Sequence, residues 1–331
     1  MTHDTIVMTR SRLGGGLGFA GLSAMSFGLS GALARGLLDA SWSPGAAVAV
    51  RILIAAAVLV VPALLAIRGR WSLVRRNLPL LAGYGLVAVA GCQLAYFNAV
   101  EHMQVGAALL IEYTAPVAVI GWLWLRHGQR PGRLTLLGGA VAAAGLVLVL
   151  DLVSGAHPST VGVLWALGAM VAVATYFVIS ADEANGLPPI VLAAGGLVIG
   201  GLALLGAGVV GVVPLQASTR DVTYAAGTVP WWLPLLGLGL VTAALAYVTG
   251  IAASRRLGSR LASFVALLEV LAALVFAWLI LDELPRSIQL VGGVLVLTGV
   301  VVVKLGEPGP AGTTPKRAAT TDAAPDVTVS C

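Results

Sequence analysis

Apolar residues run through this chain in long blocks separated by short polar breaks. Stretches such as GGAVAAAGLVLVL are apolar on every side, so neither the alternation of a barrel strand nor the single stripe of a soluble helix describes them. A helix needs roughly 20 apolar residues to cross about 30 Å of hydrocarbon, and it satisfies its own backbone groups there. Ten blocks fit, with limits good to a few residues: 17–38, 45–67, 78–100, 105–125, 134–150, 161–180, 190–213, 231–253, 261–281 and 288–303. The expected fold is an all-α polytopic membrane protein with ten transmembrane helices. The first block has no obvious small-residue cleavage site and reads as a span, not as a cleaved signal peptide.

Composition agrees. Charged residues make up 10% of the 331 positions and hydrophobic ones 59%, too little polar surface to coat a water-soluble core. The net charge of +5 does not point to nucleic acid, because the basic residues are scattered between apolar blocks. Their placement sets topology instead, since short cytoplasmic loops collect Lys and Arg. With the N-terminus inside, that side receives Arg10, Arg12, Arg68, Arg70, Arg75, Arg76, Arg126, Arg130, Arg133, Arg255, Arg256, Arg260, Lys304, Lys316 and Arg317. The other side receives only Arg220 and Arg286, while Arg35 and Arg51 fall within spans. The loop ADEANGLPP between the sixth and seventh spans carries Asp182 and Glu183 but no base. Most Trp residues lie near span ends, as an aromatic belt requires.

The two halves resemble each other. LIEYTAPVAVIGWLWL in the fourth span aligns with LLEVLAALVFAWLIL in the ninth, setting Glu112 against Glu269. Gly138, Gly139 and Gly145 match Gly292, Gly293 and Gly299, and Leu94, Ala95 and Tyr96 match Leu245, Ala246 and Tyr247. Five helices is an odd number, so the second unit crosses the membrane in the opposite sense: the repeats are inverted, an arrangement that favours transport through a site at their interface. The boundaries expected are a cytoplasmic segment over 1–16, a first five-helix repeat over 17–152, a second over 153–305 and a disordered cytoplasmic tail over 306–331.

Charges inside spans mark where the work is done. Each costs about 2.5–3.5 kcal/mol at a helix centre, so Arg35, Arg51, Glu112 and Glu269 must face a wet cavity, each other or the interface. At 1.5 Å per residue, Glu112 and Glu269 both lie about 10–12 Å deep, from opposite sides. They read as ligands for a substrate amine or as proton carriers, with a structural pair or an interhelical hydrogen bond as the alternative. Arg51, in the second span, has no charged counterpart around Gly196 in the seventh. It is a carboxylate ligand, a gate, or a buried partner of Glu112. Arg35 is close enough to the outer end to snorkel. Pro116, four residues after Glu112, frees a backbone carbonyl and kinks the helix, either for binding or for packing alone.

Gln93, Tyr96 and Asn98 in the third span, Thr175 and Tyr176 in the sixth, and Thr242, Tyr247 and Thr249 in the eighth are polar candidates to line a path or to bond between helices. Ser23, Ser26, Ser30 and the Gly196/Gly200 pair read as close-approach positions. No Walker A, HExxH or GxSxG motif occurs, the four His lie in tails or loops, and Cys92 and Cys331 have no metal-site spacing. No catalytic residue, cofactor or metal ligand is expected.

The segments LAYFNAVEHMQVGAALLIEYTAPV (94–117) and LGSRLASFVALLEVLAALVFAWLILDELP (257–285), with Arg51 and the Gly pairs, resemble the EamA family of the drug/metabolite transporter superfamily. The resemblance covers about 17–303. It implies two tandem five-helix repeats in a bacterial inner membrane, both termini cytoplasmic, around a cavity lined by both halves, with Glu112 and Glu269 at the family's recurrent glutamates. Val270 and Ala273 stand where a Glu-Pro pair or a later proline often occurs, so a kink shared by the fourth and ninth spans is not expected. The function expected is secondary transport: export of small metabolites, such as amino acids or drug-like compounds, by alternating access with proton coupling. A polytopic membrane enzyme acting on lipid intermediates and a non-transporting membrane subunit are the alternatives. The partners expected are a small-molecule substrate, the lipid bilayer and a second copy in a homodimer, and not nucleic acid.

Overall fold

The computed structural model of the protein describes residues 2–102, 111–149, 159–282 and 286–306. The chain opens with α1 (Thr2–Asp39), α2 (Pro44–Ile67) and the short α3 (Trp71–Arg76). Next, α4 (Leu78–Gly83) passes through a π-helical segment, Tyr84–Gly91, into α5 (Cys92–His102). Then come α6 (Ala115–His127), α7 (Arg133–Val149), α8 (Thr160–Ala181) and α9 (Pro189–Val209). A hairpin of β1 (Val222–Tyr224) and β2 (Gly227–Val229) leads to α10 (Trp232–Gly239), a second π-helical segment Leu240–Leu245, and α11 (Ala246–Val265). The last helices are α12 (Leu268–Leu281) and α13 (Ser287–Gly306).

Among the described residues, six helical stretches are long and apolar enough to cross a membrane: Gly14–Asp39, Pro44–Ile67, Leu78–Tyr96, Thr160–Ala181, Pro189–Val209 and Trp232–Val265. Arg133–Leu148, Leu268–Leu281 and Leu290–Gly306 are shorter apolar helices. Residues 105–110 at the start of the expected fourth span, residue 150 at the end of the fifth and all of the expected 306–331 tail except Gly306, which ends α13, lie outside the described residues.

Local chemistry explains the boundaries. Ser43 caps α2 by accepting from the Ala46 N–H at 3.2 Å, with Pro44 following, and Ser159 caps α8 from the Gly162 N–H at 3.0 Å. Gly128 takes the left-handed conformation (φ 65°) that ends α6. Gly258, at φ 78°, bends α11 sharply, which is where the expected eighth span turns back into the ninth.

The all-α expectation needs a correction: β1 and β2 pair antiparallel, Val222 with Val229 and Tyr224 with Gly227. The linker that holds them, PLQASTRDVTYAAGTVP, contains only a short β-prone run, too brief to stand out among helices. A second correction concerns the kink. The fourth-span region breaks at Tyr113 and Thr114, immediately after Glu112, before α6 begins with Pro116 in its first turn. The ninth-span region breaks at Ala266 and Leu267, with only Leu268 between the break and Glu269, and without any proline. Both repeats therefore interrupt the helix that carries the glutamate.

The repeat-matched glycines meet in space. A Cβ built on Gly138 would lie 2.7 Å from the Gly299 carbonyl oxygen, and one on Gly145 would lie 2.6 Å from the Gly292 carbonyl oxygen. As α7 ascends from 138 to 145, its partner α13 descends from 299 to 292. The two helices are antiparallel and their backbones touch because no side chain intervenes. The main apolar cluster joins α2, the first π segment, α8, α9 and α11 through Ile52, Tyr84, Phe177, Leu197 and Ile251.

Candidate functional site

A cavity of about 110 Å³ lies among α1, α5, α6, α8, α11 and α12. It exists because the helices facing it are lined with Ala, Gly and Ser at close approaches: Ala20, Ala24, Ala88, Gly250, Ala253 and Ala266 form much of its wall. Glu112 and Glu269 both line it. Each flanks a helix break, so the same irregularity that opens the backbone brings a carboxyl to the chamber.

Around the acids are few polar groups. The Cys92 thiol donates to Glu112 Oε1 at 3.8 Å, and Tyr113 and Glu269 line the same chamber. Gln93 and Tyr247 both line the cavity. Tyr176 lines it too, stacked edge-on against Phe177 and Tyr247 at centroid separations of 4.9 and 5.9 Å. Its hydroxyl is buried without a hydrogen-bond partner among the described residues. Leaving a buried hydroxyl unpaired costs about 1–3 kcal/mol, so that position is ready to donate to something that enters.

Arg51 forms a layer beside the cavity rather than part of its lining. Buried to 5% exposure, its Nη1 donates to Ser30 Oγ at 3.0 Å and to Gln93 Oε1 at 3.5 Å, and its Nη2 donates to the Thr242 carbonyl at 2.6 Å. The last bond is a product of the second π segment. The Ala246 N–H, which an α-helix would direct to the Thr242 carbonyl, reaches Val241 and Ala243 instead, leaving that carbonyl to the guanidinium. Arg51 thus ties α1, α2 and α5 to the second half of the chain.

Of the residues selected from the sequence, Glu112, Glu269, Gln93, Pro116, Tyr176 and Tyr247 line one cavity, and Arg51 contacts it through Gln93. Tyr96 and Asn98 lie outside the lining, one and two turns further along α5. Tyr96 packs beside Ala99, Ala166 and Ile111, and the Asn98 amide donates to the Leu94 carbonyl of its own helix at 2.7 Å. Thr175, Thr242 and Thr249 likewise donate to carbonyls one turn back. Arg35 is exposed and pairs with Asp39 at 3.3 Å. Sequence reasoning passed over Cys92 and Tyr113. Cys92 looked like part of an apolar run, and Tyr113 would diverge from Glu112 by about 100° on a regular helix. Only its place beside a helix break could have singled it out. Ser23 lines the cavity while donating to the Ala246 carbonyl at 2.9 Å, so it also fixes the approach of α1 to α11.

Comparisons with known proteins agree on class. The chain matches the EamA-like transporter family twice, over residues 14–151 and 160–305. An "Uncharacterized transporter" of Archaeoglobus fulgidus is 28% identical over 227 residues, 69% of this chain and 76% of that one. A "Probable terminal-alkyne amino-acid exporter" of Streptantibioticus cattleyicolor is 27% identical over 230 residues, 69% of this chain and 73% of that one. A solved crystal structure superposes with a TM-score of 0.70 over 89% of this chain and 97% of the other; at 20% identity it speaks for the fold alone. Matched by both halves and built from apolar helices around a shared cavity, this chain belongs to the EamA-like transporter family and is a multi-pass membrane transporter.

Proposed function

We propose that the protein is a secondary exporter of small, polar-ended metabolites that works by alternating access and is coupled to protons. The observation that carries this reading is the meeting of Glu112 and Glu269, one from each repeat and each beside a helix break, in a single chamber. Two acids that share a low-dielectric space cannot both remain charged and unpaired at low cost, so cargo and protons compete for them. An amine satisfies the carboxyls, and the buried Arg51 guanidinium one layer away offers a carboxylate its complement. Amino-acid-like zwitterions fit that polarity, and the name of the S. cattleyicolor relative is in keeping with it.

The antiparallel α7–α13 contact supports two inverted five-helix repeats and ten spans in all. The bias of basic residues supports both termini on the cytoplasmic side of a bacterial inner membrane. The test is the set of metabolites released by cells that make the protein against cells that do not. The expected result is a small set of amino-acid-like compounds enriched outside producing cells, and identical profiles would contradict the reading.

A further inference from the structure

The two ends of the helical bundle carry different connections. At the end where α1 meets α2, the connection between α9 and α10 folds back across the other half of the chain. The Tyr224 hydroxyl donates to the Leu33 carbonyl of α1 at 3.0 Å, and the Ala225 N–H donates to the Ile280 carbonyl of α12 at 3.0 Å. Val222 is fully buried, and Gly36 of α1 has no side chain because a Cβ there would lie 2.5 Å from both Val222 Cγ1 and Tyr224 Cε1. The stretch before the hairpin grips the α1–α2 turn: the Ser43 N–H donates to the Gln216 carbonyl at 2.9 Å, and Ser43 Oγ donates to the Pro214 carbonyl at 2.8 Å.

The corresponding connection of the first repeat, at the other end, is the short helix α3, which has no buried residue. The cavity lining also leans away from the hairpin. It includes Ser254 and Ser263 near the Gly258 bend but no residue of the hairpin or of the α1–α2 turn.

We propose that the hairpin is a strap that holds its end of the transporter shut, and that it must part from α1 before the chamber can open there. The strap rests on the alternating-access reading, and it supplies a bias toward the state closed at the hairpin end. Half-burial pushes the Tyr224 phenol up to about 12, so its bond to Leu33 persists across physiological pH and the strap is not itself a proton switch.

Cys92, a buried free cysteine in the cavity wall, is a built-in reporter. In the full chain carrying Cys331→Ser, a membrane-impermeant maleimide is applied from either face of oriented vesicles, and modification of the Cys92 peptide is read by mass spectrometry. Gly36→Ala, whose Cβ would lie 2.5 Å from both Val222 Cγ1 and Tyr224 Cε1, presses the hairpin away from α1. It is expected to raise labelling of Cys92 from the hairpin face severalfold, with labelling from the other face not raised. Tyr224→Phe, which keeps the ring, is expected to raise hairpin-face labelling severalfold. Hairpin-face labelling that ignores both Gly36→Ala and Tyr224→Phe would overturn the strap while leaving alternating access intact. Labelling from the opposite face alone, in every variant, would instead defeat the alternating-access reading and the strap with it.

Discussion

The two repeats keep some features in common and break others. Both carry a glutamate beside a helix break, both place a π-helical segment in the helix leading to the chamber, and both end in a glycine-rich helix that packs on its counterpart. Only the first has Arg51. In the second, the region around Gly196 holds no charge, and a Cβ on Gly196 would lie 2.5 Å from the Tyr84 ring, which is fully buried there. Only the second has the hairpin. The shared features build a chamber that either half could open, whereas the unshared ones give the molecule a direction.

Four substitutions sharpen that contrast. The largest effect is expected at a shared feature, Gly299→Leu, because a Cβ there would lie 2.5 Å from the Ala142 nitrogen. Forcing α7 and α13 apart should cost about 3 kcal/mol, seen as a large drop in the unfolding temperature of the detergent-solubilised protein. At an unshared feature, Arg51→Leu leaves the Thr242 carbonyl without its donor, a loss of about 1–3 kcal/mol. It should also raise the KM for a carboxylate-bearing cargo more than tenfold, and an unchanged KM would demote Arg51 to a structural tie.

Gly196→Ala tests the Tyr84 side of the same comparison. It should lower stability by about 1–2 kcal/mol through crowding, with little change in KM, and the same unfolding assay checks it. The smallest effect on stability is expected for Tyr176→Phe. It removes a hydroxyl that has no partner among the described residues, so the unfolding temperature should hold or rise slightly while cargo affinity falls. A clear loss of stability would mean that the hydroxyl already has a structural role.

Much of this arrangement was legible in the chain. Apolar blocks and basic loops gave the membrane class, and the Glu112–Glu269 alignment picked out both acids of the chamber, because intramembrane charge is too costly to be placed idly. The irregular parts were hidden. Regular helical periodicity cannot reveal a π segment, so the bond from Arg51 to the Thr242 carbonyl had no sequence signal. The break before Glu269 occurs without proline, the residue that would have announced it. Tyr96 and Tyr247 matched by letter, yet only Tyr247 reaches the cavity. Alignment equates residues, while the depth of a chamber along a helix is set by packing.

The central claim concerns the paired acids, and a flux measurement tests it most directly. Once a cargo is known, its transport into proteoliposomes under an imposed pH gradient is compared among wild type, Glu112→Gln, Glu269→Gln and the double variant. If both carboxyls serve one chamber, each single substitution should reduce gradient-driven flux about as far as the double does, roughly 100-fold or more, because groups that act as a unit are not additive. Wild-type flux in either single variant would contradict the account.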